Sequence, residues 1–224
     1  MRVAIVSTPR TCSSLMTSIY TNRYNLTNKL GIFSACKTEE DVTNLVDILV
    51  TDDDYVVKIT ATNFIKQPCI QDIATFPWSI FDKIILTERT PIEEQYASWI
   101  LLSHAQFDKK LRNAEEIQSY IKELLSKDHN SITVRKGDLE WCKQNITYYY
   151  EVIKPYLLST NLPVYVVDHK LFQDDVHVYL DVLNSNLNET FTVDNIEQYT
   201  KSSIDYSNFV IQTNLKNLIH DTDE

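Results

Sequence analysis

A three-layer α/β/α domain with a central, mostly parallel sheet is the fold class this sequence predicts, and three observations carry the prediction. Five short runs rich in Val, Ile, Leu and Thr punctuate the chain at Arg2–Ser7, Tyr55–Thr60, Lys83–Glu88, Ser131–Arg135 and Val164–Asp168. They are nearly continuous in apolar residues, as strands buried on both faces are. Longer stretches of helical character separate them, and strand–helix alternation is the pattern of α/β folds. Finally, 43% of the 224 residues are hydrophobic and no repeat or low-complexity linker interrupts them, so the chain can bury a core and reads as one domain over residues 1–224.

Taken in order, the elements have local reasons. Val3 to Val6 is an apolar run of four, right for a buried strand and too short for a secretion signal. Ser13–Tyr24 and Glu39–Leu49 read as helices on either side of a connecting loop, before the strand Tyr55–Thr60. After the strand Lys83–Glu88, Pro91 suits a first helical turn, and Glu93 and Glu94 suit the positive end of the dipole of a helix over Pro91–Gln106. Ala114–Ser126, Leu139–Leu157 and His177–Leu183 complete the helices. The polar stretch 195–224 reads as a C-terminal extension, a short helix or loop packed on the core and ending in a frayed acidic HDTDE.

Composition excludes several functions. With 21 basic and 31 acidic residues the net charge is −10, against a nucleic-acid coat or a binder of anionic membranes. An aromatic content of 11% argues against disorder. Only Gly31 and Gly137 occur, so the phosphate loop G-x-x-x-x-G-K-[ST], the dinucleotide fingerprint G-x-G-x-x-G and a kinase glycine loop are all absent. Cys12, Cys36, Cys69 and Cys142 contain no C-x-x-C pair, and no metal ligands stand at diagnostic spacing. No apolar stretch approaches the ~20 residues of a membrane span. These features predict a reduced, cytoplasmic protein, in which the sequons at Asn25, Asn145 and Asn188 are chance matches.

The first segment that could carry chemistry is Ser7-Thr8-Pro9-Arg10-Thr11-Cys12-Ser13-Ser14-Leu15-Met16. A buried strand ends, a Pro-Arg turn follows and a hydroxyl-rich stretch opens a helix. Backbone N–H groups at a helix start bind anions, Thr11, Ser13 and Ser14 add hydroxyls, and Arg10 supplies a fork for phosphate or sulfate oxygens. The plainer reading makes Ser13 an N-cap and Arg10 a surface charge. A second segment, the strand Lys83–Glu88 with Arg89 and then Thr90-Pro91-Ile92-Glu93-Glu94-Gln95-Tyr96-Ala97-Ser98-Trp99, again sets a cation and a hydroxyl at a helix start. Its plainer reading is a surface pair of Arg89 with Glu93. Lys58, near the end of an apolar strand, is costly to bury without an anion.

These segments resemble the sulfotransferases that use 3′-phosphoadenosine 5′-phosphosulfate (PAPS), bacterial and phage-type members above all, well over the first half of the chain and in outline beyond it. Pro9, Arg10, Thr11, Ser13 and Ser14 match the family's 5′-phosphosulfate loop. Cys12 stands where Gly is usual, a departure that matters if the backbone there needs positive φ. Arg89 and Ser98 match the 3′-phosphate site, and Lys58 the lysine beside the transferred group. The resemblance implies a P-loop-NTPase-like sulfotransferase fold with PAPS as cosubstrate and no metal. Sulfuryl would pass to a hydroxyl or amine of a small-molecule or glycan acceptor, with Arg10 and Lys58 catalytic. The donor would be bound by Arg10, Thr11, Cys12, Ser13, Ser14, Arg89 and Ser98. For the general base, Thr60 stands where cytosolic members have His, and Ile32, in the turn Leu30-Gly31-Ile32-Phe33, where bacterial members have Glu. Glu39, Glu40 and His104 are the substitutes within reach in sequence. Val164–Asp168 resembles a late family strand, and Lys201–Tyr206 a C-terminal segment of phage-type members. The alternative is a non-catalytic nucleotide-binding or interaction protein on a degenerate version of the fold. A thiol phosphatase at Cys12 fails on spacing, because its Cys-x₅-Arg pattern would need Arg where Ser18 stands.

Overall fold

The computed structural model describes residues 1–29, 31–36, 38–66, 72–126, 132–169, 176–192 and 219–222. The strands are β1 (Arg2–Ser7), β2 (Thr27–Lys29), β3 (Tyr55–Thr60), β4 (Lys83–Glu88), β5 (Ile132–Arg135), β6 (Val164–Asp168) and β7 (Ile219–Thr222). The α-helices are α1 (Ser13–Tyr24), α2 (Glu39–Thr51), α3 (Ala61–Lys66), α4 (Ile92–Ser103), α5 (Ala114–Ser126), α6 (Lys136–Tyr148), α7 (Lys154–Ser159) and α8 (Val176–Leu187). By contacts the chain divides into two compact units: Met1–Glu88 with Asn145–Lys201, and Arg89–Gln144 with Ser202–Glu224.

The first unit is a three-layer α/β/α sandwich on a five-stranded, all-parallel sheet of order β2-β3-β1-β4-β6. Alternate residues of the central strands feed opposite faces. Val3, Ile5, Val56 and Ile85 pack with Leu15, Met16 and Ile19 of α1 and with Tyr179, Leu180 and Leu183 of α8. Ala4, Val6, Val57, Ile59, Ile84 and Leu86 meet Leu45 and Leu49 of α2 and Tyr149, Ile153 and Leu157 on the other face. That face is thickened by Phe64, Phe76, Trp78 and Phe81, whose rings lie 4.6–6.5 Å apart. Burial on both faces is why these strands read as continuous apolar runs.

Helix boundaries follow side-chain chemistry. α2 opens on a capping box: the Asp41 N–H donates to Thr38 Oγ1 at 3.1 Å, and the Thr38 N–H donates to Asp41 Oδ2 at 2.9 Å. α1 stops at Asn25, whose φ of 52° is left-handed.

Several sequence expectations are corrected. β2 escapes the apolar rule because it is three residues long, polar and at the sheet edge. Ala61–Lys66 is helical, and single 3₁₀ turns form at Ile32–Ala35 and Trp78–Ile80. The helix expected over Leu139–Leu157 is interrupted by a π-helical turn at Tyr149–Ile153. Pro155 explains it: proline lacks the N–H for the bond to residue 151 and its ring would crowd that carbonyl, so the chain widens there and restarts as α7. The helix expected over Pro91–Gln106 starts after Pro91, which is extended (ψ 156°) behind a cis Thr90–Pro91 bond, and gives way to a π-helical turn at His104–Asp108.

In the second unit, β5 is not a strand of the central sheet. It pairs in parallel with β7, so part of the tail expected as helix or loop is a strand. The rest of that extension, including Lys201–Tyr206, lies outside the described residues, as do Leu30, Cys69 and Ser131. Among the described residues no helix is long and apolar enough to cross a membrane.

The Tyr149 hydroxyl, fully buried, donates to the Thr87 carbonyl at 3.0 Å, tying the π-helical turn to the end of β4. Tyr149→Phe leaves that carbonyl buried without its donor and should cost about 1–3 kcal/mol in urea unfolding. An unchanged midpoint would show that the bond contributes nothing.

Candidate anion-binding site

β1 leaves the sheet at its C-terminal edge, between β3 and β4, and the chain bends sharply before α1. Arg10 (φ 71°) and Cys12 (φ 54°) are both left-handed, a conformation that costs a non-glycine residue about 1–2 kcal/mol. Thr11 between them is 1% exposed. Its hydroxyl donates to the Thr8 carbonyl at 2.9 Å and lies 2.8 Å from Thr87 Oγ1 at the end of β4. Those two contacts hold the bend, so Thr11 is a positioning residue whose hydroxyl is already engaged.

Cys12, not Ser13, is the N-cap of α1, and it makes no side-chain cap. The positive φ that would favour Gly at this position is therefore present, and a Cβ is carried there at the expense of strain. The Cys12 side chain meets His169, just beyond β6: Sγ lies 3.0 Å from Nε2. Ser7, at the end of β1 on the α1 face, has a buried hydroxyl that finds no partner among the described residues.

Lys58 on β3 stands opposite Ile5 of β1 and reaches Ser14, with Nζ 3.4 Å from Oγ. Its ammonium titrates below the usual 10.5, first because burial strips it of water and then because the Arg10 guanidinium repels it. A Cys12 thiolate acts in the opposite sense. The first unit thus brings Arg10, Thr11, Cys12, Ser13, Ser14 and Lys58 together: two mutually repelling cations at the N-terminal turn of a twelve-residue helix. Such a turn presents N–H groups and a positive dipole end, and an anion would relieve the repulsion.

Arg89 and Ser98 belong to the second unit. Arg89 is 2% exposed and pairs with Glu94 rather than Glu93, with Nη2 3.3 Å from Oε2 and both side chains buried. Glu94 comes inward because it lies on the buried face of α4 with Gln95 and Ser98, while Glu93 is exposed. His104, in the same unit, is buried with its ring 6.0 Å from Tyr120.

The other base candidates differ in setting. Glu39 and Glu40 are exposed in the first turn of α2, where they complement the helix dipole. Ile32 packs against the apolar cluster of Phe33 and Phe76. The Thr60 hydroxyl donates to Asn63 Oδ1 at 2.9 Å. Asp168 ends β6 in register with Glu88, and Glu88 pairs with Lys154 at 2.5 Å.

Sequence reasoning gave no role to His169 or to the Ser7 hydroxyl, and paired Arg89 with Glu93 rather than Glu94. His169 follows the Val164–Asp168 strand directly, so its place at the sheet's C-terminal edge could have been read, but its contact with Cys12 could not. No protein-family model matches the chain, and no curated protein matches its sequence. Among the described residues no His, Cys, Asp and Glu cluster is arranged to hold a metal ion.

Two substitutions test these settings. Thr11→Val should destabilise by about 1–3 kcal/mol, and Thr11→Ser should restore most of it, because only the hydroxyl holds the bend. Glu94→Gln removes the carboxylate charge from the buried pair with Arg89 and should destabilise the protein in denaturant unfolding by up to about 3–5 kcal/mol, the scale of a broken buried pair. A change within experimental error in either would remove the corresponding role.

Proposed function

We propose that the protein is a sulfotransferase that moves the sulfuryl group of PAPS to a hydroxyl or amine of a small-molecule or glycan acceptor in the cytoplasm. The observation that carries this reading is the convergence of Lys58 and Arg10 on the first turn of α1, where the Arg10 guanidinium works against the positive charge of Lys58. Parallel α/β sheets bind ligands outside their strand C-termini, where neighbouring connections leave in opposite directions. β1 and β4 are such neighbours: the chain passes from β1 to β2 on one side and from β4 to β6 on the other.

In this reading Arg10, Lys58 and the N–H groups of residues 11–14 hold the 5′-phosphosulfate. As the acceptor attacks sulfur and the S–O bond to the nucleotide breaks, charge grows on the departing 5′-phosphate, and these groups stabilise it. Loss of the Lys58 or Arg10 charge should raise the barrier by roughly 2.7–4 kcal/mol, the scale of a lost oxyanion donor. Arg89 and Ser98 are assigned the 3′-phosphate by the resemblance, and an incoming phosphate would compete with Glu94 for Arg89. Glu39 and His104 are the residues proposed to take the acceptor proton.

Calorimetric titration with adenosine 3′,5′-bisphosphate tests the donor site. Binding should exceed that of AMP. Affinity should fall as pH rises through the lowered Lys58 titration, because the bound anion favours the ammonium and draws a proton onto it. Lys58→Met should flatten that pH dependence. Equal binding of AMP, or a pH slope that persists in Lys58→Met, overturns the assignment.

A second reading rests on Ile32 and Thr60. One packs against the apolar core and the other is engaged with Asn63, so neither position that the resemblance gives to a base carries one. Nucleotide binding with no sulfuryl transfer to any of a broad set of phenols, sugars and amines would favour a binding protein on this fold.

A further inference from the structure

Cys12 and His169 come from chain segments 157 residues apart, yet Sγ and Nε2 are 3.0 Å apart. Neither residue has a part in the sulfuryl-transfer reading beyond the backbone of Cys12. A nucleophile within hydrogen-bond reach of a base is the arrangement that activates a thiol, and a helix N-terminus and nearby cations favour its ionised form. Cys12 has all three: it caps α1, touches an imidazole and lies beside Lys58 and Arg10.

Among the described residues, charged and titratable groups approach it from several elements. Arg10 stands in the same loop and Lys58 on β3, both cationic. From α8, Tyr179 is a buried phenol that donates to Met16 Sδ at 3.4 Å, and burial holds it neutral. Among the described residues, the Asp168 carboxylate just before His169 acts on Tyr179, as does Cys12 itself. Lys58 and Arg10, both cationic, favour negative charge on the sulfur beside them. Access is adequate too: Cys12 is partly exposed, whereas Cys36 and Cys142 are buried. The Cys142 thiol shows the opposite environment, since burial pushes it up to about 12.

We propose that Cys12 and His169 form a thiolate–imidazolium pair, and that this pair is a covalent modification site for small electrophiles, hydroperoxides above all. The sulfur attacks one peroxide oxygen, an S–O bond forms and the O–O bond breaks. Cys12 is oxidised by two electrons to the sulfenic acid and the peroxide is reduced to water or an alcohol. The imidazolium of His169 gives its proton to the departing oxygen, so that thiolate, hydrogen peroxide and proton become sulfenic acid and water. The proposal does not depend on the sulfotransferase reading.

Iodoacetamide labelling of the full chain, followed by mass mapping of each cysteine across pH, tests it. Cys12 should label with a pH midpoint well below the ordinary thiol value of ~8.5, and unfolding in urea should return the midpoint to ~8.5. His169→Asn and His169→Ala should raise the midpoint back toward that value in the folded protein. Brief exposure to hydrogen peroxide should then yield a dimedone adduct at Cys12. A folded-state midpoint at or above ~8.5 overturns the proposal for the wild-type chain, whether or not the variants fold. A midpoint unmoved in folded His169 variants removes His169 from the pair, and no dimedone adduct at Cys12 removes the peroxide reaction.

Discussion

Everything in the first unit is referenced to β1. Val3 to Val6 are fully buried, with strands paired on both sides and helices on both faces. A strand so enclosed cannot shift its register, because a one-residue slip would exchange the residues of the two apolar faces. Its exit is equally constrained. The chain must turn at once into α1, and it does so through two left-handed residues pinned by one threonine hydroxyl. The core therefore stores strain at a place where a helix N-terminus and two cations meet. Such strain persists only where the surroundings over-determine it.

The electrostatics have the same local character. A chain of net charge −10 repels anions at long range, so Arg10 and Lys58 form a small positive feature in a negative field. That combination suits a ligand recognised at contact rather than one steered from a distance.

How much of this was legible in the sequence depended on burial. β1, β3, β4 and β6 were readable to the residue because strands covered on both faces leave an apolar signature. β2 left none, being a polar three-residue edge, and β5 could be seen as a strand without showing that its partner is β7. At the site, residue types were legible and geometry was not. The cations and hydroxyls of the loop stood out from their order, yet nothing local says that Cys12 adopts positive φ or that Thr11 spends its hydroxyl on Thr8 and Thr87. The Thr11–Thr87 contact follows from the placement of β4, and the Cys12–His169 contact from that of β6. Glu94 could be separated from Glu93 only once the buried face of α4 was known.

The order in which strands enter the two units also shapes how the chain can fold. The first unit is not one continuous stretch: β6 joins β4 only after Arg89–Gln144 has been made, and β5 waits for β7. Each unit is thus closed by a segment that follows part of the other in sequence. During synthesis neither sheet can be completed while the growing chain ends within the intervening segment. Until then β4 offers one unpaired edge and β5 two. Parallel pairings between distant segments form slowly, and open edges are what other chains can pair with. The same interleaving means that a cut at any of the three unit boundaries would separate strands that pair with one another.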